Sequence, residues 1–373
     1  MSQHPRTPIH PWLEQKSLEQ NAPGSILFQA GTGVFQRPGG GEIQLIKTGM
    51  ALADRGHRVG LFNPWRDQLN EARILHMFGL HPEFEPLAML ARKSGIGVVV
   101  SPICWYDPVA QWHEASGWIS GLVGVSKWLL LRHSGLARGR AWRSRLLGLA
   151  HCILPNSQAE ADQLVRLLSV DPARIRVVPN AVDTIVQKAA NAMARQRFGP
   201  ADHVLYVGRI EPRKNVMGLI KACLAANFPL VIIGQSPLEY SEYEDACRKL
   251  AESGQVQFAG ALLKDDPLLA SAMTNARVFA LPSWFETPGL AALEAAALET
   301  PVVITSRGST RDYFAESAIY CDPAKPLTVQ SAIEKAWNQP PTGRHQLALK
   351  IHREWTWKEV ARITEGIYDA VAP

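Results

Sequence analysis

The stretch "FETPGLAALEAAA", residues 285 to 297, holds two carboxylates of different character. Glu286 stands ahead of a Thr287-Pro288-Gly289 turn, so it belongs to a loop and can reach into a cleft. Glu294 falls inside the alanine and leucine run that follows, where helical spacing puts Leu290, Leu293, Ala297 and Leu298 on one face with Glu294 beside them. An ionised carboxylate next to an apolar face is costly unless it is hydrogen-bonded, and sugar hydroxyls are good partners for it. Taken alone, the pair also fits one exposed glutamate and one helix-capping glutamate.

A second constellation is "GRIEPRKN", 208 to 215. The apolar run "HVLYVG" delivers Arg209 at its end, and Lys214 lies just ahead of the next helical pattern. Two fixed cations beside a helix N-terminus form a site for a diphosphate that needs no metal to neutralise it. A third is "GTGVFQRPGGG", in which Gly31, Gly33, Gly39, Gly40 and Gly41 let backbone amides approach a phosphate. Gln36 occupies the third glycine position of GxGxxG and no Gly-Lys-Ser/Thr follows, so neither a dinucleotide fingerprint nor a Walker loop fits. His76 and His81 are too loosely spaced for a metal pair, and no GxSxG elbow marks a serine nucleophile. The five cysteines, Cys104, Cys152, Cys223, Cys247 and Cys321, form no CxxC pair, and a reducing cytoplasm is the simplest home for them.

The elements that must position these residues follow a repeated order. "SILFQAG" reads as a buried strand, "EIQLIKTGMALADRGHRV" as a helix ending at Gly56, and "RVGLFN" as the next strand, which together make a βαβ unit and imply a parallel sheet. Further strands are expected at "ARILHMFG", "GIGVVVSP" and "AHCILPNS", the last leading into the helix "QAEADQLVRLL". A second such series starts near Asp202 with "HVLYVGRI" and runs through "PLVIIGQ", "VQFAG", "RVFALPS" and "PVVIT". The chain closes on "HREWTWKEVARITEGIYDAV", read as one amphipathic helix with no strand after it. Open α/β sheets bind ligands beyond the carboxyl ends of their strands, so two such halves would enclose a cleft.

Composition agrees with two globular units. At 373 residues the chain exceeds one ordinary core of ~150 residues, and 46% hydrophobic with 20% charged residues excludes a disordered chain. The N-terminal "MSQHPRTPIHPWLEQKSLEQNAPG" reads as a loose polar arm, residues 1–24, rather than a signal peptide. No stretch has the ~18 consecutive apolar residues of a membrane span. The net charge of +5 is concentrated: from Ala115 to Ala159 there is no acidic residue, while Lys127, Arg132, Arg138, Arg140, Arg143 and Arg145 alternate with Trp118, Trp128 and Trp142. This basic 127–145 region suits an anionic membrane surface, or is simply a solvated helix face. No nucleic-acid-binding signature accompanies it.

Together these stretches, with "IRVVPNAVD", "LVIIGQSP" and "TPVV" in the same order, resemble family 4 of the retaining glycosyltransferases from about Ser25 onward. The resemblance implies the α/β GT-B architecture: two Rossmann-like doubly wound domains facing a central cleft. An N-terminal acceptor-binding domain would span 25–190, a nucleotide-sugar-binding domain 200–350, and a last helix, 354–373, would cross back to the first. By the family's E-x7-E motif, Glu294 would hold the ribose and Glu286 the transferred sugar. Arg209 and Lys214 match the pair that stabilises the leaving diphosphate, and Gly39 and Gly40 match the loop that faces it, with Thr287, Pro288, Gly289 and Leu290 also lining the donor site.

The activity so implied is transfer of a hexose from a UDP- or GDP-sugar to a glycan or lipid-linked acceptor in surface polysaccharide biosynthesis. Configuration is retained and neither metal nor other cofactor is needed. The implied place is the cytoplasm, peripheral on the inner face of the membrane. The rivals are a GT-B sugar-nucleotide epimerase or phosphorylase and a non-catalytic nucleotide- or glycan-binding protein. Three departures stand out. Thr287-Pro288-Gly289 replaces Gly-Phe-Gly, a histidine is missing from "VVVSPICWYD", and Glu299 stands where glycine usually precedes "TPVV".

Overall fold

The computed structural model describes residues 24–36, 39–110, 138–183, 191–263 and 266–372. The short apolar runs form two parallel sheets. The first holds β1 (Ser25–Ala30), β2 (Val59–Leu61), β3 (Ala72–Phe78), β4 (Gly97–Ser101) and β5 (Cys152–Ile153), in the order β2-β1-β3-β4-β5. The second holds β6 (Val204–Val207), β7 (Leu230–Ile233), β8 (Val256–Gly260), β9 (Val278–Leu281), β10 (Val302–Thr305) and β11 (Ile319–Cys321), in the order β11-β10-β9-β6-β7-β8. Runs such as "GVVVS" and "LVII" are buried along their whole length because helices cover both faces of each sheet.

The strand orders locate the crevices. In each sheet the chain starts in the middle, builds outward to one side, then returns to build the other, so the order reverses between β1 and β3 and between β6 and β9. At such a switch point, neighbouring loops leave the strand ends in opposite directions and open a ligand crevice. The second sheet, renumbered from β6, has the Rossmann order, whereas the first has the related flavodoxin-like order.

Local chemistry sets the helix that follows β1. The Gly40–Asp54 helix is capped by its own Glu42, whose Oε2 accepts the Gly39 N–H at 2.6 Å. Just past its end, Gly56 takes φ +92°, the C-terminal signal read from the sequence. Glu299 follows the Leu290–Ala297 helix at φ +62°, with its N–H on the Ala296 carbonyl. This explains the departure noted there: the position is a left-handed helix terminus, where glycine has no Cβ penalty.

Two expectations need correction. The end of the chain is two helices, Arg344–Glu354 and Trp357–Val371, rather than one. The break arises because Trp355 O accepts the Val182 N–H at 3.0 Å and Thr356 pairs with Val182 as an isolated bridge, while the Thr356 hydroxyl caps the second helix through Glu359 N–H. Leu347 and Ile351 therefore pack in the core of the second half, and Val360, Ala361 and Tyr368 in that of the first. In addition, β11 was not read from the sequence, since three residues at a sheet edge show no period. Of the basic window, Trp118, Lys127, Trp128 and Arg132 lie outside the described residues. Arg145, which is described, bonds Glu85. Among the described residues, no helix is long and apolar enough to cross a membrane.

The last helix is pinned to the first sheet by a buried polar chain. His76 on β3 meets the Tyr368 hydroxyl through Nδ1 at 2.6 Å and the Ser101 hydroxyl through Nε2 at 2.9 Å, and burial pushes its pKa down to about 3, so it stays neutral. Replacing Tyr368 with phenylalanine leaves a buried imidazole nitrogen without a partner. Tyr368→Phe is expected to cost about 1–3 kcal/mol, read as a lower calorimetric midpoint.

Candidate functional site

A cleft of about 680 Å³ runs between the two halves, within the range of small-molecule sites. All four loops at the two switch points reach it: Thr32 and Gly33 after β1, His81 after β3, Arg209 after β6 and Glu286 after β9. The helix N-terminus at Gly39 and Gly40 lies on one side, and Gly289 and Leu290, which begin the Leu290–Ala297 helix, lie on the other. The two halves come close here. A Cβ at Gly39 would stand 3.7 Å from Arg209 Nη2, and one at Gly40 would stand 3.7 Å from Leu290 Cδ1.

At the centre is an ion pair. Lys214 Nζ donates to Glu286 Oε1 at 2.6 Å, and Glu286 is only 4% exposed. Two loops had to be fixed against each other for this to occur. Trp284 N–H donates to the Arg213 carbonyl at 2.8 Å and Asn215 Nδ2 to the Pro282 carbonyl at 3.1 Å, which ties the turn after β6 to the turn after β9. Beneath them the buried Tyr206 hydroxyl holds the Arg209 carbonyl at 2.6 Å. On its far side Glu286 pairs with Gly308, which has φ +100° and where a Cβ would lie 2.0 Å from the Glu286 oxygen, so the approach is open only to glycine.

The charges shift one another. Burial alone would raise the Glu286 carboxyl, but the Lys214 and Arg213 charges and the Lys214 hydrogen bond outweigh it and hold the group below its ordinary value. Burial, and then Arg213, lower the Lys214 ammonium despite Glu286. Arg213 stacks over the Phe285 ring at 5.2 Å and meets Glu211 at 3.1 Å, while Arg209 meets Glu211 at 3.3 Å. Three cations thus converge on one end of the cleft, each held by a carboxylate, an arrangement able to receive an anion with several oxygens.

Of the residues singled out in the sequence, Arg209, Lys214, Glu286, Thr287, Gly289, Leu290, Gly39 and Gly40 line the cleft, whereas Pro288 and Glu294 do not. Glu294 stands one turn along the Leu290–Ala297 helix, 9% exposed and engaged within the chain. Thr287–Pro288 is a cis peptide bond. Among the lining residues that the sequence reading did not assign to the site are Glu42, Arg213 and His81, the last weighed there only as a metal ligand. A Cβ at Gly31 would come within 2.4 Å of the His81 ring and one at Gly79 within 2.8 Å, so two glycines leave the slot in which that ring sits. The strand order could have found it, because His81 follows β3 at the switch point. Among the described residues, no group of three or more His, Cys, Asp or Glu is placed to hold a metal.

Known proteins share this design. Residues 38–185 match the family model Glycosyltransferase Family 4, and residues 191–350 match Glycosyl transferases group 1. A D-inositol 3-phosphate glycosyltransferase of Acidothermus cellulolyticus is 31% identical over 316 residues, covering 72% of this chain and 68% of the relative. An O-antigen chain mannosyltransferase B of Escherichia coli is 26% identical over 60% of this chain and 61% of its own. Among solved structures, a sucrose-phosphate synthase of Thermosynechococcus elongatus superposes with a TM-score of 0.72 at 18% identity, covering 93% of this chain and 98% of that one. HepE of Anabaena in complex with UDP-glucose gives 0.69 at 15% identity, covering 93% and 99%. The two parallel sheets facing a cleft are the GT-B fold. The chain belongs to glycosyltransferase family 4, and it is a glycosyltransferase of the group 1 type.

The ion pair has a pH signature. Because folding lowers the Glu286 pKa, its charge adds stability above the ordinary glutamate value of 4.5, and that contribution disappears as the pH falls through the lowered folded value. Glu286→Gln lacks it. The gap in melting temperature between the parent and Glu286→Gln is expected to be widest above pH 4.5 and to close on acidification, as followed by calorimetry across pH.

Proposed function

We propose that the protein is a retaining hexosyltransferase that takes its sugar from a nucleotide diphosphate donor, UDP- or GDP-linked, and passes it to a glycan or lipid-linked acceptor in surface polysaccharide assembly. The observation that carries this reading is the convergence of Arg209, Arg213 and Lys214 at the cleft end that also holds Glu286. Nucleotide-sugar use is supported by HepE, which is similar in fold and whose structure holds UDP-glucose. Polymer synthesis is supported by the O-antigen chain mannosyltransferase among the relatives.

In this reading the donor diphosphate lies against Arg209 and Lys214, with the Gly39 and Gly40 helix N-terminus opposite. As the bond from the anomeric carbon to the phosphate oxygen breaks, negative charge grows on the leaving diphosphate. Cations already fixed by Glu211 and by the turn hydrogen bonds stabilise that charge without reorganising. This work is done without a metal. Glu286 contacts the sugar beside the reacting carbon, Thr287 to Leu290 shape the donor pocket, and Glu294 holds the ribose. The acceptor hydroxyl attacks from the face the diphosphate leaves, giving up its proton to the departing phosphate, so no protein nucleophile is required. The basic 127–145 region docks the enzyme on the inner membrane surface beside a lipid-linked acceptor.

A thermal-shift screen of UDP, GDP and their sugars tests the donor: the correct one at ~100 times its dissociation constant adds about 2.7 kcal/mol of stability. Transfer is expected to survive EDTA, to fall at least ~100-fold in Arg209→Ala, as for a lost oxyanion donor, and to vanish in Glu286→Ala. Full activity in both variants would sink the assignment. Since burial and Arg213 hold Lys214 below its ordinary 10.5, the alkaline limb of kcat/KM is expected below that value and is expected to move upward in Lys214→Arg.

A further inference from the structure

The stretch after β10, residues 307–313, serves two sides at once. Toward the site it holds the main chain of Glu286, whose N–H donates to the Arg307 carbonyl at 3.2 Å and whose carbonyl accepts the Ser309 N–H at 2.9 Å. Toward the first half it makes four contacts. Arg307 Nη1 stands 3.5 Å from Asp107 Oδ2, and Asp312 Oδ2 accepts the Ala159 N–H at 2.8 Å. The Tyr313 hydroxyl donates to the Asn156 carbonyl at 2.5 Å and accepts the Asn180 N–H at 2.8 Å.

Asn156 closes the circuit. Its Nδ2 donates to the Thr287 carbonyl at 3.2 Å, directly beside Glu286, and the residue is 2% exposed. The loop carrying Glu286 is therefore held from behind by 307–309 and from the other half by Asn156, while 307–313 is itself seated on Asp107, Ala159, Asn156 and Asn180. Val182, at the end of the first half, also bridges Thr356, at the start of the last helix.

We propose that Asn156, Asp107 and the 307–313 stretch form a latch across the two halves that sets the position of the Glu286 loop. Asn156 and Asp107 are positioning residues: they touch neither the cations nor the Glu286 carboxylate, and they act through the Thr287 carbonyl and Arg307. The proposal rests on the reading that Glu286 works on the donor sugar. Its physical basis is that a reacting group misplaced by ~1 Å can cost ~100-fold in rate while leaving the rest of the binding site intact.

Two variants test it. Asn156→Ala removes the donor to Thr287. Asp107→Asn removes the first-half carboxylate facing Arg307, leaving Asp322 of its own half at 3.0 Å, but keeps the Oδ1 that accepts the Val109 and Ala110 N–H groups at 2.9 and 3.1 Å, so it preserves the local fold. Transfer with UDP- and GDP-hexoses is compared with the Kd of UDP and GDP by calorimetry, and hydrogen exchange is followed in peptides covering 285–289 and 208–215. The latch predicts that kcat falls ~10-fold or more in each variant while nucleotide Kd stays within ~3-fold, with faster exchange at 285–289 and unchanged exchange at 208–215. Unchanged kcat and exchange in Asp107→Asn, with Glu286→Gln inactive, would overturn the latch alone. Full transfer by Glu286→Gln would overturn the underlying reading instead.

Discussion

The 2.6 Å contact between Lys214 and Glu286 sets the terms for the rest of the site. Both side chains are withdrawn from water, and a buried charge without a partner is strongly destabilising, so neither residue can be placed without the other. Their partnership demands that the turn after β6 and the turn after β9 be fixed in register. The hydrogen bonds from Trp284 and Asn215 do this, and the neighbouring positions of β6 and β9 in the sheet make it possible. The glycine at 308 follows from the same demand, since the main chain of Glu286 must be gripped from behind at a distance no Cβ would allow.

The charge pattern then acquires a direction. Lys214, Arg213 and Arg209 are all matched to carboxylates, so the cleft presents cations already oriented by the protein rather than free in solvent. An anion entering such a site meets donors whose ordering cost was met on folding. The opposite wall is different in kind: glycines, Thr32, the His81 ring and a capped helix N-terminus form a surface with more shape than charge. The two walls of the cleft thus differ in kind, one carrying oriented cations and the other a glycine-lined surface.

Much of this was legible in the residue order, for physical reasons. Buried strands such as "LVII" and "GVVVS" stand out because parallel sheets are covered on both faces. Arg209, Lys214 and Glu286 were found because each sits where a strand or turn gives way to a helix, and there polar residues are read against a clear background. Glu42 was missed because a glutamate three places after a helix cap is ordinary, and Arg213 because it adjoins a lysine already chosen. His81 was weighed only as a metal ligand; its slot is cut by Gly31 and Gly79, which are far from each other in sequence.

The sequence by itself determined the two parallel sheets, the family and the cations at the end of β6, because these depend on local periodicity and on short motifs. Only the tertiary structure decided that the final segment breaks at Trp355 and Thr356, since that break is made by Val182 from the other crossing of the chain. It also gave the two glutamates their different surroundings: Glu286 lies on the cleft wall against Lys214, and Glu294 is buried on the Leu290–Ala297 helix. Helical periodicity fixes which face a side chain takes, but which part of that face is covered depends on the elements that pack there.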